Sequence, residues 1–100
     1  MLDNQSRITL RKEMISKSKY GIKKEVNLFY NPQEKNILIR PKEDVSVNGM
    51  YFIISLNIDS KTRLFIPKIL RRAFPNSEFI PAEKDGEIYI LIIEHEKKSE

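Results

Sequence analysis

The side chains best suited to chemistry in this chain are arginines and lysines, which gather in two blocks. Residues 61–72 hold no acidic residue and five basic ones: Lys61, Arg63, Lys68, Arg71 and Arg72. Residues 1–24 hold two acidic residues and seven basic ones, including Arg7, Arg11 and Lys12. A guanidinium group can clamp a phosphate or a guanine edge with two parallel donors. The two blocks therefore favour an anionic partner, and a solvated basic face without a partner is the alternative.

Other kinds of site find little support in the sequence. His95 is the only histidine, it lies near a polar terminus, and the chain has no cysteine. No glycine-rich phosphate loop and no metal-ligand spacing occurs. We therefore expect no enzyme activity, no catalytic residue, no metal site, no cofactor and no disulfide.

Composition narrows the class of protein. One hundred residues suffice for one modest core, and 40% hydrophobic with 32% charged residues is typical of a folded domain. The longest apolar run covers residues 88–93, far short of the roughly 18 residues that indicate a membrane span. The first six residues contain an acid and no apolar stretch, so no secretory signal is predicted.

The two basic blocks align with each other without a gap. Residues 2–10 and residues 58–66, 56 positions later, both read apolar, Asp, three polar residues, Arg and a short apolar strand. Asp3 with Arg7 thus corresponds to Asp59 with Arg63. We interpret this as an internal repeat, and chance similarity between two short segments of biased composition is the alternative.

A short helix is predicted after each of these strands. Apolar residues recur every four positions in both segments: Leu10 and Met14, then Ile66, Leu70 and Phe74. Pro67 suits the first helical position, and Pro75 stops the second helix. Gly21 is predicted to take the left-handed conformation just past the first helix.

Each helix is predicted to lead into a β-hairpin. In the first copy, strands at 25–30 and 37–40 flank a turn-rich segment. In the second copy, residues 87–94 form a strong strand, and residues 77–80 form a weaker one that Pro81 interrupts. A further strand is predicted at 50–57. The chain is thus one domain, 1–100, with repeat one at 1–40, a connector at 41–49, repeat two at 50–94 and a frayed tail at 95–100.

The predicted core consists of apolar residues that face inward from these elements: Ile8, Leu10, Met14, Val26, Leu28, Leu64, Ile66, Leu70, Phe74, Ile88 and Ile90. The four tyrosines could stack on bases, but a half-buried strand position or a helix end is the simpler interpretation.

Residues 58–72 resemble the signature of the AbrB-like family: an acid, a turn, Arg63, three apolar residues, Pro67, and a helix ending in Arg71 and Arg72. The Asp-x-x-x-Arg spacing, present twice, is similar to the motif that MraZ-like tandem-repeat relatives carry twice per chain. The resemblance implies a mainly β fold with two short helices, arranged as a swapped-hairpin β-barrel of two tandem β-α-β-β repeats.

The first copy departs from this pattern. Arg11 stands at the position of Pro67, while Ile15 and Ser16 stand at the positions of the arginine pair. Ser6 and Thr62 precede the motif arginines, where the family commonly has glycine. The first copy also lacks an opening strand equivalent to 50–57. We therefore expect a different turn and an imperfectly symmetric pseudo-dimer.

The resemblance implies a sequence-specific transcription regulator that binds double-stranded DNA. The residues expected to contact DNA are Arg7, Arg11, Lys12, Lys61, Arg63, Lys68, Arg71 and Arg72. Asp59 and Arg63 are also expected to pair across the turn, a structural role compatible with DNA contact. The alternative is a protein-binding module, antitoxin-like or inhibitory, on the same fold without DNA binding. A homo-oligomer and a protein partner are left open, and the expected location is the cytoplasm, at the nucleoid.

Overall fold

The computed structural model describes residues 6–95. In order along the chain, its elements are β1 (Arg7–Thr9), α1 (Lys12–Lys17), β2 (Glu25–Asn31), β3 (Asn36–Pro41), β4 (Tyr51–Asn57), β5 (Arg63–Phe65), α2 (Lys68–Ala73), β6 (Ser77–Lys84) and β7 (Glu87–Glu94). All of the strand pairs are antiparallel. The prediction of a mainly β fold with two short helices is confirmed. Within residues 6–95, neither helix is long and apolar enough to cross a membrane.

The strands form a five-stranded sheet in the order β4-β2-β3-β7-β6 and a separate two-stranded ribbon of β1 and β5. Two hairpins, β2–β3 and β6–β7, meet at the centre of the sheet, where Ile37 pairs with Ile90 and Leu38 with Tyr89. Because β4 and β6 remain edge strands among the described residues, the predicted closed barrel is wrong. The ribbon strands pair with each other over three residues, and Leu64 also forms a single bridge with Ile58, but neither strand joins the five-stranded sheet.

The hairpin turns follow from local chemistry. In the β2–β3 turn, the Asn31 side-chain oxygen accepts hydrogen bonds from the backbone N–H groups of Gln33 and Glu34, at 3.0 and 3.2 Å. In the β6–β7 turn, Asp85 and Gly86 both have positive φ, 55° and 80°, as a two-residue type I′ hairpin turn requires. A Cβ at Gly86 would collide with the Lys19 side chain. The backbone N–H of Lys19 donates to the Gly86 carbonyl oxygen at 2.8 Å.

Strand β6 is longer than predicted because it continues through Pro81 to Lys84. Proline lacks an N–H group, but an edge strand has one side that needs no ladder hydrogen bonds. Pro81 still pairs with Ile90 of β7. The prediction that Pro81 interrupts this strand is therefore wrong.

The helices differ from the prediction at their ends. Pro67 and Arg11 are the extended residues immediately before α2 and α1, so Pro67 is not the first helical residue. Gly21 has φ of 56°, but it lies three residues beyond Ser18, where α1 has already ended. Pro75 directly follows the last capping residue of α2, Phe74, and its predicted stopping position is confirmed.

The predicted core residues lie between the inner face of the sheet, the ribbon and the two helices. All belong to the buried cluster except Phe74, which packs against its edge. Sequence reasoning missed Phe29 and Leu38, which are also buried but lie on the opposite sheet face by strand alternation. There the Phe29 ring meets Phe52 edge-on, with centroids 5.8 Å apart.

His95, the first residue of the predicted frayed tail, makes two contacts. The backbone N–H of His95 donates to the Asn76 carbonyl at 2.9 Å, and its Nε2 lies 3.3 Å from a carboxylate oxygen of Glu78. The remaining tail residues, 96–100, lie outside the described residues.

Candidate nucleic-acid interface

The ribbon of β1 and β5 presents two faces with different chemistry. Ile8 lies opposite Leu64 at its centre, and both side chains are buried in the core. Because side chains alternate along a strand, the four flanking residues point to the other face: Arg7, Thr9, Arg63 and Phe65. Thr9 and Phe65 are exposed, while Arg7 and Arg63 are half-buried. The outer face of the ribbon thus carries two of the predicted DNA-binding arginines.

Asp59 orients this face. Its Oδ1 accepts hydrogen bonds from the backbone N–H groups of Lys61 and Arg63, at 2.9 and 2.8 Å. Its Oδ2 accepts from Nε of Arg63 at 2.7 Å and lies 3.7 Å from Nη1 of Arg7. The expected pairing of Asp59 with Arg63 across the turn is confirmed. The corresponding residue of the first copy, Asp3, lies outside the described residues.

The hydrogen bonds to Asp59 also stabilise its charged form. The backbone N–H of Arg63 contributes most to lowering the pKa of Asp59, and the Arg63 side chain and the Lys61 backbone N–H lower it further. Together these outweigh the desolvation of the carboxylate. Asp59 therefore remains ionised and holds Arg63 in place at neutral pH.

The turns before the two arginines adopt the conformation that glycine favours, although neither residue is glycine. Ser6 has φ of 61° and Thr62 has φ of 57°. The Thr62 hydroxyl donates to the carbonyl oxygen of Leu10 at 2.6 Å and so ties the turn to the opposite strand. The two turns therefore share one backbone conformation, and the expected difference from the family's turn stays a prediction.

Comparison with protein-family models, with curated proteins and with solved structures finds no significant match for this chain.

Helix α2 places its basic residues in two environments. Lys68 and Arg72 are exposed, as is Ile69, whose residue surface is 68% accessible. Nε of Arg71 donates to the carbonyl oxygen of Ile66 at 3.3 Å, just beyond the end of β5. Because Ile66 also donates to the Ser6 carbonyl, Arg71 lies beside that end of the ribbon. Arg71 therefore has a structural contact that sequence reasoning did not foresee, and its guanidinium has further donors for a ligand.

Of the predicted residues of the first copy, Arg7 lies in β1, and Arg11 and Lys12 lie at the start of α1. Arg11 and Lys12 are both exposed. A cleft beside them is lined by both signs of charge, with Arg11 and Lys17 facing Glu13 and Glu83. These groups partly offset one another, so this region attracts an anion less strongly than α2 does. Lys61, in the turn before β5, is exposed next to Arg63.

The guanidinium group of Arg40 is engaged by contacts within the protein and is not part of the candidate interface. Its guanidinium lies 4.0 Å from the ring centroid of Tyr20 and donates to Glu87 at 2.8 Å and to Asp44 at 3.3 Å. Burial lowers the pKa of Arg40, but these carboxylates outweigh it and the pKa is raised. Arg40 is a structural cation that locks β3 to β7 and to the segment after β3.

The structure adds Thr9 and Phe65 to the candidate site. Phe65 is 44% exposed between the arginines, and the period-two alternation of Arg63-Leu64-Phe65 is the signal that could have found it. Within residues 6–95, no group of histidine or acidic side chains is arranged to hold a metal ion.

Proposed function

We propose that this chain is a double-stranded DNA-binding regulator of the AbrB-like and MraZ-like kind, which contacts DNA with the outer face of its ribbon. The observation that carries the proposal is the placement of Arg7 and Arg63 on one outward face, both at the carboxylate of Asp59. Ordered arginines lose less conformational freedom on binding than mobile ones, and their planar groups suit phosphates and guanine edges.

The register of the ribbon supports the tandem, swapped-hairpin part of the proposal. Arg7 pairs with Phe65, and Thr9 pairs with Arg63. A two-fold rotation about an axis between Ile8 and Leu64 therefore places each of these pairs on the other. The flanking hydrogen bonds follow the same rule: Leu10 N–H donates to Thr62, and Ile66 N–H donates to Ser6, both at 2.8 Å. Residues that match at the 56-residue interval thus occupy matching positions.

The spacing of the other elements supports the same interpretation. Helix α1 begins at Lys12 and α2 at Lys68, again 56 residues apart. Strand β2 begins at Glu25 and β6 at Ser77, only 52 residues apart, because the connection after α1 is longer than the one after α2. Strand β4, which precedes β5 in the second half, pairs with β2 of the first half. A strand of the second half thus pairs with the first half, which supports the swapped-hairpin part of the proposal.

The basic residues around the ribbon extend the proposed contact surface. Lys61, Lys68 and Arg72 are exposed cations suited to phosphates, whereas the arginines of the ribbon are suited to base edges as well. The second half supplies more of these groups than the first, since Ile15 and Ser16 replace the arginine pair. We therefore propose unequal contacts with the two halves of a DNA site.

The experiment is fluorescence anisotropy on random and selected duplexes at two salt concentrations. Wild type is compared with the double variant Arg63→Ala/Arg72→Ala and with a control, Lys35→Ala/Lys84→Ala, that removes two exposed cations at the hairpin turns. Each lost phosphate contact lowers the slope of log affinity against log salt by about 0.9. We expect a large loss of affinity and a smaller slope for the arginine variant alone. Undetectable wild-type binding, or equal losses for the two variants, would overturn the proposal.

A protein-binding module is the second candidate, and one observation favours it. Strand β4 has an open edge among the described residues, contains no charged residue, and exposes Tyr51 and Phe52. The opposite edge, β6, has the usual protection against strand pairing, namely Pro81 and charged side chains. If DNA binding is absent, pairing of a partner strand with β4 becomes the leading function. Tyr51→Lys, at an exposed position of β4, tests it by abolishing that association.

A further inference from the structure

A cleft of about 430 Å³ lies between α1, the connection that follows it, and the turn before β5. Ile15, Ile22 and Ile58 provide an apolar lining, and Lys23 and Lys24 stand among the lining residues with exposed side chains. A volume in this range, lined by apolar groups with a few polar ones, is typical of small-molecule sites.

The cleft coincides with the places where the first half of the chain differs from the second. Ile15 occupies the helix position that Arg71 occupies in α2. The connection after α1, residues 18–24, is longer than the corresponding segment 74–76 and supplies Ile22, Lys23 and Lys24. Both differences contribute to the same cleft, one by removing a charge from its lining and the other by adding two cations.

The wall of the cleft is held by contacts that leave the side chains of the two lysines unused. Ile58 N–H donates to the carbonyl oxygen of Lys24 at 2.7 Å and fixes the connection against the turn. Asp59 is the acidic residue in the lining, and its oxygens are engaged by Arg63 and by backbone N–H groups. Its charge is therefore largely offset, whereas Lys23 and Lys24 provide a net positive rim.

We propose that this cleft binds a small amphipathic anion, which is an aliphatic or aromatic body with one carboxylate, sulfonate or phosphate group. The apolar body lies against Ile15, Ile22 and Ile58, where it removes apolar surface from water. The anionic group lies at Lys23 and Lys24. This assignment does not depend on DNA binding. The cleft borders the ribbon through Asp59, which also holds Arg63, but the arginines of the outer face are not among its lining residues.

Two further clefts among residues 6–95 do not combine these features. The cleft between α1 and β6 is lined by both acidic and basic side chains, including Glu13 and Glu83. The cleft at Val45 and Phe52 contains Lys42, which is already paired with Glu25 at 2.6 Å. The cleft at Ile22 is the one where an apolar lining meets cations that are not matched by nearby free acids.

The test is a titration of the ¹⁵N-labelled protein with octanoate, followed by amide chemical shifts, with 1-octanol as the uncharged probe. The variant Lys23→Glu/Lys24→Glu reverses the rim charge, and Lys35→Glu/Lys84→Glu is the matched control with the same change in net charge at exposed lysines of the hairpin turns. The amide spectra also report whether each variant is folded. No DNA is present, so the result does not depend on the proposed function.

We expect octanoate to cause saturable amide shifts at Ile15, residues 22–24 and residues 58–62. Wild type should bind 1-octanol at least about fivefold more weakly than octanoate, and the rim variant should bind octanoate at least about fivefold more weakly than wild type does. Two exposed ion pairs contribute about this much to affinity. The control variant should bind octanoate like wild type. The proposal is overturned by non-saturable shifts, by shifts centred on Val45 and Phe52, or by equal octanoate affinity of the rim and control variants.

Discussion

Oδ2 of Asp59 lies 2.7 Å from Nε of Arg63, while the other oxygen of the same carboxylate accepts the Arg63 backbone N–H at 2.8 Å. One side chain thus fixes both the backbone and the guanidinium of the same arginine. Removing Asp59 therefore changes two properties with opposite effects on anion binding. The protein becomes more positive, which favours anion binding, whereas Arg63 becomes less ordered, which weakens it.

Replacing Asp59 should therefore weaken DNA binding even though the net charge rises. We expect Asp59→Ala to lower affinity for a selected duplex by roughly fivefold, since the contacts that orient Arg63 are lost. Asp59→Asn keeps an oxygen acceptor for the backbone N–H groups and should fall between wild type and Asp59→Ala. Anisotropy at fixed salt measures this. Tighter binding by both variants would mean that charge alone governs the interaction.

The lowered pKa of Asp59 predicts a pH-dependent contribution to stability. A carboxylate whose pKa is lower in the folded state stabilises the fold fully above its unfolded-state pKa of about 3.8, and this contribution is lost as pH falls through the folded-state value. The free energies of unfolding of wild type and Asp59→Asn in urea should differ at pH 7, and the difference should shrink as pH falls below about 3.8. A difference that stays constant across this range would contradict the assignment.

The ribbon centre should be a major source of stability. Leu64 is fully buried opposite Ile8, and Leu64→Ala should cost about 2–5 kcal/mol in the free energy of unfolding. Thr9→Ala, on the exposed face of the same ribbon, should change stability by less than about 0.5 kcal/mol. Chemical denaturation measures both, and a similar cost for the two variants would mean that the ribbon does not seal the core.

Two glycines with nearly the same backbone conformation provide a matched pair. Gly49 and Gly86 have φ of 79° and 80°, but only Gly86 has a neighbour, Lys19, within reach of a new Cβ. Alanine at either position should cost about 1 kcal/mol for the left-handed backbone, and Gly86→Ala should cost more because Lys19 must move. Thermal or urea unfolding measures the free energy of unfolding of both variants, and equal costs would show that the Lys19 side chain moves away without an energetic cost.

Restoring a basic residue in α1 should strengthen the proposed DNA contact of the first half. Ser16 is exposed at the position that Arg72 occupies in α2. We expect Ser16→Arg to raise DNA affinity and to steepen the salt dependence by about one phosphate contact. Ser46→Arg, in the exposed segment before β4, adds the same charge elsewhere and should raise the DNA affinity and the salt dependence less. Equal gains would argue against two matching halves.

Much of the fold follows from the sequence by itself. The alternation of Arg7-Ile8-Thr9 and of Arg63-Leu64-Phe65 determines which side chains face the core, and the turn residues determine where the hairpins bend. The pairing of Asp59 with Arg63 is local, since four residues separate them, and spacing was sufficient to predict it. These features depend on interactions within a few residues of the chain.

Only the tertiary structure decided which distant groups meet. The contact of Arg7 with Asp59, the hydrogen bond from Arg71 to Ile66 and the pairing of β4 with β2 depend on how the two halves pack. The open sheet and the cleft at Ile22 arise in the same way. The physical reason is that local preferences set the conformation of short segments, whereas the burial of one shared core selects among the many ways in which those segments can be brought together.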